Sequence, residues 1–241
     1  MSKESKKRII HELQFIKSFD EPTPDLFHKV NYKLIKPYYE NKKVLNVGCW
    51  TASFETQFRN DKTNITGIDI SLEALKIAKD ANPHCSFVSA DAFYLPFEDN
   101  SFEVVSLFMV LEHIPKNTEP KLFKEINRVL KEGGYFIITT PHNELMGNIF
   151  DVAHWLVGHR HYKVDNLQNM LNEAGFEFEK LMLKGGVWAN ISIPFFYLSK
   201  FLFRINLYKK PFVERLLTKE YEQDGFRDIF LVAKKVKESK D

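Results

Sequence analysis

Gly48, Asp69 and Asp91 stand roughly twenty residues apart, each just after a short β-branched run. A glycine at the first such turn lets a ligand approach the backbone. An acid after the second run accepts the two hydroxyls of a ribose. An acid after the third, or its neighbouring backbone, meets the amino group of an adenine. The set describes an adenosine pocket with no site for a pyrophosphate. The dinucleotide fingerprint GxGxxG is missing, because its positions hold Gly48, Trp50 and Ser53. That speaks against a nicotinamide-dependent oxidoreductase. His113 and His142 follow the fourth and fifth runs and are the pocket-lining or general-base candidates. His154, His159 and His161 cluster downstream, but no cysteine or carboxylate joins them in a recognised ligand pattern, so no metal is expected. Cys49 reads as an inert small residue.

These residues need a scaffold of parallel strands with helical crossovers, and the chain alternates accordingly. Strands are expected at Lys43–Gly48, Asn64–Asp69, Cys85–Val88, Phe102–Leu107, Tyr135–Thr140, Phe176–Leu183 and Arg227–Ala233. Ser71 is placed to cap a helix that follows the second strand. Leu122, Phe123, Ile126, Val129 and Leu130 form one apolar stripe on a helix over Thr118–Lys131, which Gly133 and Gly134 would stop. A further helix is expected over Asp165–Ala174, with Asp165 as its cap and Gly175 as its stop. Residues 1–42 read as an N-terminal helical cap and 43–241 as the main domain.

The 241 residues are 44% hydrophobic and 27% charged, which suits a globular chain with a sizeable core. A net charge of +2 does not point to nucleic acid. Two cysteines form no disulfide framework, and no apolar leader is visible, so a cytoplasmic setting is expected.

The stretches VLNVGCWTASFE (Val44–Glu55), TGIDISLEALKIAK (Thr66–Lys79), SADAFYLPFEDNSFEVVSLFMVLEHI (Ser89–Ile114), INRVLKEGGYFIITTP (Ile126–Pro141) and HYKVDNLQNMLNEAGFE (His161–Glu177) resemble class I S-adenosylmethionine-dependent methyltransferases of the type 11 group. The resemblance implies an α/β, Rossmann-like fold: a mostly parallel seven-stranded sheet with an antiparallel last strand and helices on both faces. It implies S-adenosylmethionine as cosubstrate. Gly48 would lie under its methionine part, with Asn46, Cys49 and Trp50 in the same loop. Asp69 would hold the ribose, and Ile70, Asp91 and Ala92 would border the adenine. Phe108 and Met109 would pass near the sulfonium, and His113 would open the substrate side.

This chain departs from the family in its first loop, which usually reads acid-x-Gly-x-Gly-x-Gly. Here the acid is Asn46, and Trp50 and Ala52 replace two glycines. An amide hydrogen-bonds but offers no charge to the methionine ammonium. A tryptophan at positive φ would be strained, so the loop is expected to be reshaped. The implied reaction is methyl transfer to a small-molecule, lipid-linked or glycan acceptor. The alternative is a non-catalytic binding or regulatory module with a degenerate cofactor loop. A nucleic-acid acceptor is not expected, because LFMVLEHIP lacks the Asn/Asp-Pro-Pro-aromatic motif of base methylation.

Val187–Leu217 is an aromatic-rich insertion before the last strand. Its uncharged run is short of the ~20 residues a spanning helix needs, and Pro194 is expected to break it. It reads as a helix packed on the sheet as core or lid, a membrane-surface element or a contact between two copies.

Overall fold

The computed structural model describes residues 26–59, 61, 63–203 and 210–236. Residues 1–25 of the expected cap lie outside that set, as do Arg204, Ile205 and Lys209 of the insertion. The elements run in the order α1 (Leu26–Tyr39), β1 (Lys43–Val47), β2 (Asn64–Asp69), α2 (Leu72–Ala81), β3 (Ser86–Ser89), β4 (Phe102–Phe108), α3 (Glu119–Val129) and β5 (Leu130–Pro141). Then come α4 (Leu145–Phe150), α5 (Val152–Val157), α6 (Val164–Glu173), β6 (Phe176–Lys184), α7 (Val187–Phe203), α8 (Pro211–Glu222) and β7 (Asp228–Lys235). Short 3-10 turns occupy Glu55–Phe58 and Leu111–His113.

The seven strands form one sheet in the order β3-β2-β1-β4-β5-β7-β6. The first five are mutually parallel, and β7 runs antiparallel to both β5 and β6. This is the Rossmann-like methyltransferase arrangement. The order reverses direction between β1 and β4, and such a switch point opens a crevice at the carboxyl ends of the strands.

Central strands of a parallel sheet are covered on both faces and so read as apolar runs. Val44, Leu45 and Val47 of β1, and Val104, Val105 and Leu107 of β4, are all buried. On α3, Leu122, Phe123, Ile126 and Val129 are fully buried against one face, each contributing about 1.5–3 kcal/mol. On the other face α1 packs Ile35 and Tyr39 against Phe54, Phe58 and Val104.

Three expectations are corrected. First, α3 ends at Val129 rather than at the glycines, because Leu130 already pairs with Phe102. Gly133 and Gly134 lie inside β5, and a Cβ on Gly134 would come within 2.8 Å of the Glu103 carbonyl oxygen. Second, Lys163 is the N-cap of α6, and Asp165 sits in its first turn, where a carboxylate suits the helix dipole. Third, α7 runs through Pro194 without breaking. Proline costs a helix one hydrogen bond, which packing repays here: Ala189, Ile193 and Phe196 are buried on one side of α7. Among the described residues no helix is long and apolar enough to cross a membrane.

Candidate active site

A cavity of about 600 Å³ opens at the carboxyl ends of β1, β2 and β4. That volume is within the ~300–1,000 Å³ usual for small-molecule sites. The β1 loop brings Asn46, Gly48, Cys49 and Trp50 to its wall. β2 and the turn after it bring Asp69 and Ile70, the turn after β3 brings Asp91 and Ala92, and the end of β4 brings Phe108 and Met109. His113 also lines the cavity. His142 does not. Its Nδ1 lies 2.8 Å from the Phe226 carbonyl oxygen, so the ring fastens the approach to β7.

The first loop keeps its left-handed backbone despite its side chains. Gly48, Trp50 and Ala52 have φ of +76°, +50° and +58°. The expected reshaping has not occurred. A non-glycine residue in this region costs about 1–2 kcal/mol, so something must hold it there. Gly48 and Cys49 donate their N–H groups to the Ile68 carbonyl at 2.8 and 2.9 Å. Trp50 N–H donates to Asp69 Oδ2 at 3.0 Å. Asn82 Nδ2 donates to the Ala52 carbonyl at 3.0 Å. At Gly48 no side chain is tolerated, because a Cβ would lie 2.5 Å from Val110 Cγ2.

Asp69 accepts a second backbone N–H, from Ser71, at 2.9 Å on Oδ1. Burial raises its carboxyl, and the N–H groups of Ser71, Trp50 and Ile70 pull it back. Each oxygen retains a lone pair for a further donor. Asp91 Oδ1 accepts the Phe93 N–H at 3.0 Å, closing a tight turn at the cavity edge. Burial pushes the Cys49 thiol well up, which makes it a poor nucleophile.

Asn46 is part of a buried polar chain. Tyr39 O–H donates to Ser106 Oγ at 2.5 Å, Ser106 donates to Asn46 Oδ1 at 3.0 Å, and Asn46 Nδ2 donates to Glu55 Oε1 at 2.6 Å. Glu55 is fully buried, and its Oε2 has no partner among the described residues. Burial pushes the carboxyl up to about 7, against the lowering effects of Asn46 and, more weakly, His28.

The histidines are knitted together rather than free. His113 and His159 meet edge to face at 4.4 Å between ring centres. His159 Nδ1 lies 3.7 Å from Asp151 Oδ2, and His161 Nε2 lies 2.9 Å from the same oxygen. Burial would raise Asp151, but these two rings outweigh it and hold the carboxyl well below its usual range. The other His161 nitrogen meets Asn148 Oδ1 at 2.5 Å. Glu112, buried behind His113, accepts the Thr140 hydroxyl at 3.2 Å, and burial raises its carboxyl.

Other lining residues lay outside the sequence expectations. Asn31 of α1 reaches the cavity, as do Tyr221 at the end of α8 and Arg227. The Arg227 guanidinium pairs with buried Asp228 at 2.5 Å. Their positions in sequence carry no motif that would have flagged them. His28 also lines the cavity, whereas Tyr32 turns away to donate to Asp61 at 3.0 Å.

Residues 45–138 match the family described as "Methyltransferase domain". A demethylmenaquinone methyltransferase of Renibacterium salmoninarum is 32% identical over 97 residues, covering 40% of each chain. A sterol 4-C-methyltransferase of Caenorhabditis elegans is 33% identical over 105 residues, 41% of this chain and 31% of that one. The chain thus spans about half or less of the length of the first curated relatives it matches. An uncharacterized protein of Methanocaldococcus jannaschii is 28% identical over 88% of this chain and 87% of its own. In fold, the chain is similar to a SAM-dependent methyltransferase of Archaeoglobus fulgidus (TM-score 0.63, 21% identity, 86% of this chain, 92% of that one). It is also similar to the (4+2)-cyclase SpnF (TM-score 0.61, 21% identity, 87% of this chain, 81% of that one). The fold and cavity define a class I methyltransferase scaffold. Residues 45–138 thus carry a methyltransferase-domain match, and the fold is that of solved S-adenosylmethionine-dependent methyltransferases.

The buried Glu55 has a consequence for stability. It holds its proton more tightly when folded, at about 7, than at the ordinary 4.5 of the unfolded chain. Its contribution is therefore complete below pH 4.5 and is lost as pH rises toward 7. The swing is of order 3 kcal/mol. Urea unfolding of wild type and Glu55→Gln at pH 5 and pH 8 should show the variant gaining about that much relative stability at the higher pH. Parallel pH profiles for the two proteins would contradict it.

Proposed function

We propose that this chain transfers a methyl group from S-adenosylmethionine to a small-molecule or lipid-linked acceptor by in-line displacement; a glycan acceptor belongs to the same chemistry. The observation that carries the reading is the convergence of Gly48, Asp69, Asp91 and Met109, from four strand ends, on one cavity. The residues present fit the cosubstrate. Asp69 has acceptor capacity for the ribose hydroxyls, and Ile70, Ala92 and Phe93 supply apolar walls for the adenine. Once bound, the sulfonium supplies an activated methyl group, so the protein supplies alignment and exclusion of water. Phe108 and Met109 shield the cavity floor beside Phe54. His113, with His159 and Asp151 behind it, is the group placed to take a proton from a hydroxyl acceptor.

An apolar acceptor is favoured by the other end of the cavity. Leu26 and Phe27 of α1, Ile114, Pro115, Ala189 of α7 and Leu217 of α8 line it. The matched segments of the menaquinone and sterol enzymes point the same way. One observation favours the non-catalytic alternative, namely the strained Trp50–Ala52 loop.

Calorimetric titration with S-adenosylhomocysteine tests the cofactor half. Wild type should bind, and Asp69→Ala should bind at least about tenfold more weakly, since charge-assisted hydrogen bonds are worth about 1.5–3 kcal/mol each. A folded wild type that binds no cofactor would sink the reading. Transfer of labelled methyl to quinol, sterol and glycan acceptors tests the other half. With a hydroxyl acceptor, His113→Ala should lower turnover by roughly 10²–10⁴-fold and leave cofactor affinity unchanged. Cofactor binding without transfer to any acceptor would favour the binding-module alternative.

The outer face of the molecule extends the apolar theme. Trp188, Phe195, Leu198, Leu202 and Phe203 of α7 are exposed, beside exposed Leu145 and Ile149 of α4 and Trp155 of α5, which pack on α7. In our reading this face rests on a lipid surface and opens the cavity toward it. Wild type should sediment with phosphatidylcholine–phosphatidylglycerol vesicles, and Trp188→Glu with Phe195→Glu should abolish that. Wild type that stays in the supernatant contradicts it. A dimer split by the same substitutions would instead make the face a contact between copies.

A further inference from the structure

The family's first loop carries an acid where this chain has Asn46, yet a carboxylate stands one hydrogen bond behind that amide. Glu55 accepts from Asn46 Nδ2 at 2.6 Å, and Asn46 lines the methionine end of the cavity beside Gly48. The shortest bond made by each donor of the Tyr39–Ser106–Asn46 chain runs toward Glu55. Aligned donors polarise one another, and here they converge on one acceptor. The remaining Glu55 oxygen is buried without a partner among the described residues. A buried carboxylate so placed needs either a proton or a cation.

We propose that Glu55 is the relocated anionic partner for the cofactor's α-ammonium, acting through Asn46 as a positioning residue. This rests on the S-adenosylmethionine reading above. In the free protein near neutral pH the site is divided between protonated and ionised forms, consistent with a carboxyl pushed up to about 7 by burial. The groups that face it are His28 of α1, which favours ionisation, and Tyr39, Cys49 and Cys85, which burial chiefly keeps protonated and the nearby Glu55 carboxylate raises further. Arrival of an ammonium at Asn46 tips Glu55 to the ionised form and expels its proton to solvent. Asn46 Oδ1 keeps one lone pair beyond its bond from Ser106, and that lone pair is the contact offered to the ammonium.

Two nucleosides separate this from the parent reading. S-Adenosylhomocysteine carries the α-ammonium; 5′-methylthioadenosine lacks the amino-acid part. Calorimetry of the full chain at pH 7, in two buffers of different ionisation enthalpy, reads affinity and proton release together. Wild type should bind both, releasing about half a proton with S-adenosylhomocysteine and none with 5′-methylthioadenosine. Glu55→Gln should bind S-adenosylhomocysteine at least about tenfold more weakly without proton release, as expected for loss of one charge-assisted contact, and keep its 5′-methylthioadenosine affinity. Unchanged S-adenosylhomocysteine affinity in that variant overturns the proposal while leaving the cofactor reading intact. Wild type that binds neither nucleoside overturns both. If Glu55→Gln binds neither, the pair Asn46→Asp with Glu55→Gln decides. Recovered S-adenosylhomocysteine affinity supports a charge needed at this spot, and 5′-methylthioadenosine binding without that recovery refutes it.

Discussion

The Asp69 carboxylate accepts one backbone N–H from Trp50 and another from Ser71. The first bond pins the left-handed loop after β1, and the second sets the start of α2, where Ser71 accepts the Ala74 N–H at 3.2 Å. A parallel sheet leaves its loop ends without ladder partners at the carboxyl edge, and side chains must supply them. Asp69 does so for two loops at once. The cavity mouth, the strained Trp50–Ala52 segment and the helix cap therefore depend on a single half-buried carboxylate. That dependence explains how a loop with two non-glycine residues at positive φ retains the shape that glycines would give it.

Behind the loop lies a polar seam that a hydrophobic sheet would not be expected to tolerate. Tyr39, Ser106, Asn46 and Glu55 are all buried, and each hydroxyl and the amide is satisfied by the next member. Such a chain is costly when broken, because the orphaned group remains desolvated. The seam joins α1 to β4, β1 and the 3-10 turn at Glu55–Phe58. The Asn46 end of the cavity is thus tied by hydrogen bonds to the helix that brings His28 and Asn31 to its wall.

The apolar end of the cavity is built differently. α1, α7 and α8 contribute apolar side chains there, and Val30, Ala189, Leu217, Tyr221 and Phe230 form a small core of their own. Tyr221 and Arg227, both bonded to buried Asp228, bring polar groups to its wall, as does His113, whose ring meets His159. The cavity is thus polar and tightly bonded at the Asn46 end and apolar where α1, α7 and α8 meet.

The amino-acid sequence determined the parts that depend on local pattern. Apolar runs in β1, β2 and β4, the stripe on α3 and the Ser71 cap were legible because burial and capping act over a few residues. The ten residues that the resemblance assigns to the cofactor all reach the wall of one cavity, because strand ends in a parallel sheet share one edge. Tertiary structure decided what depends on distant partners. His113 faces the cavity and His142 does not, since the Phe226 carbonyl, far along the chain, claims the second ring. Trp50 stays at positive φ because Asp69 holds it, and Pro194 stays helical because α7 is packed. The significance of Glu55 also appeared only in the fold. Nothing in its neighbours in sequence places its carboxylate against Asn46; the turn at Glu55–Phe58 does, by folding the chain back beneath β1.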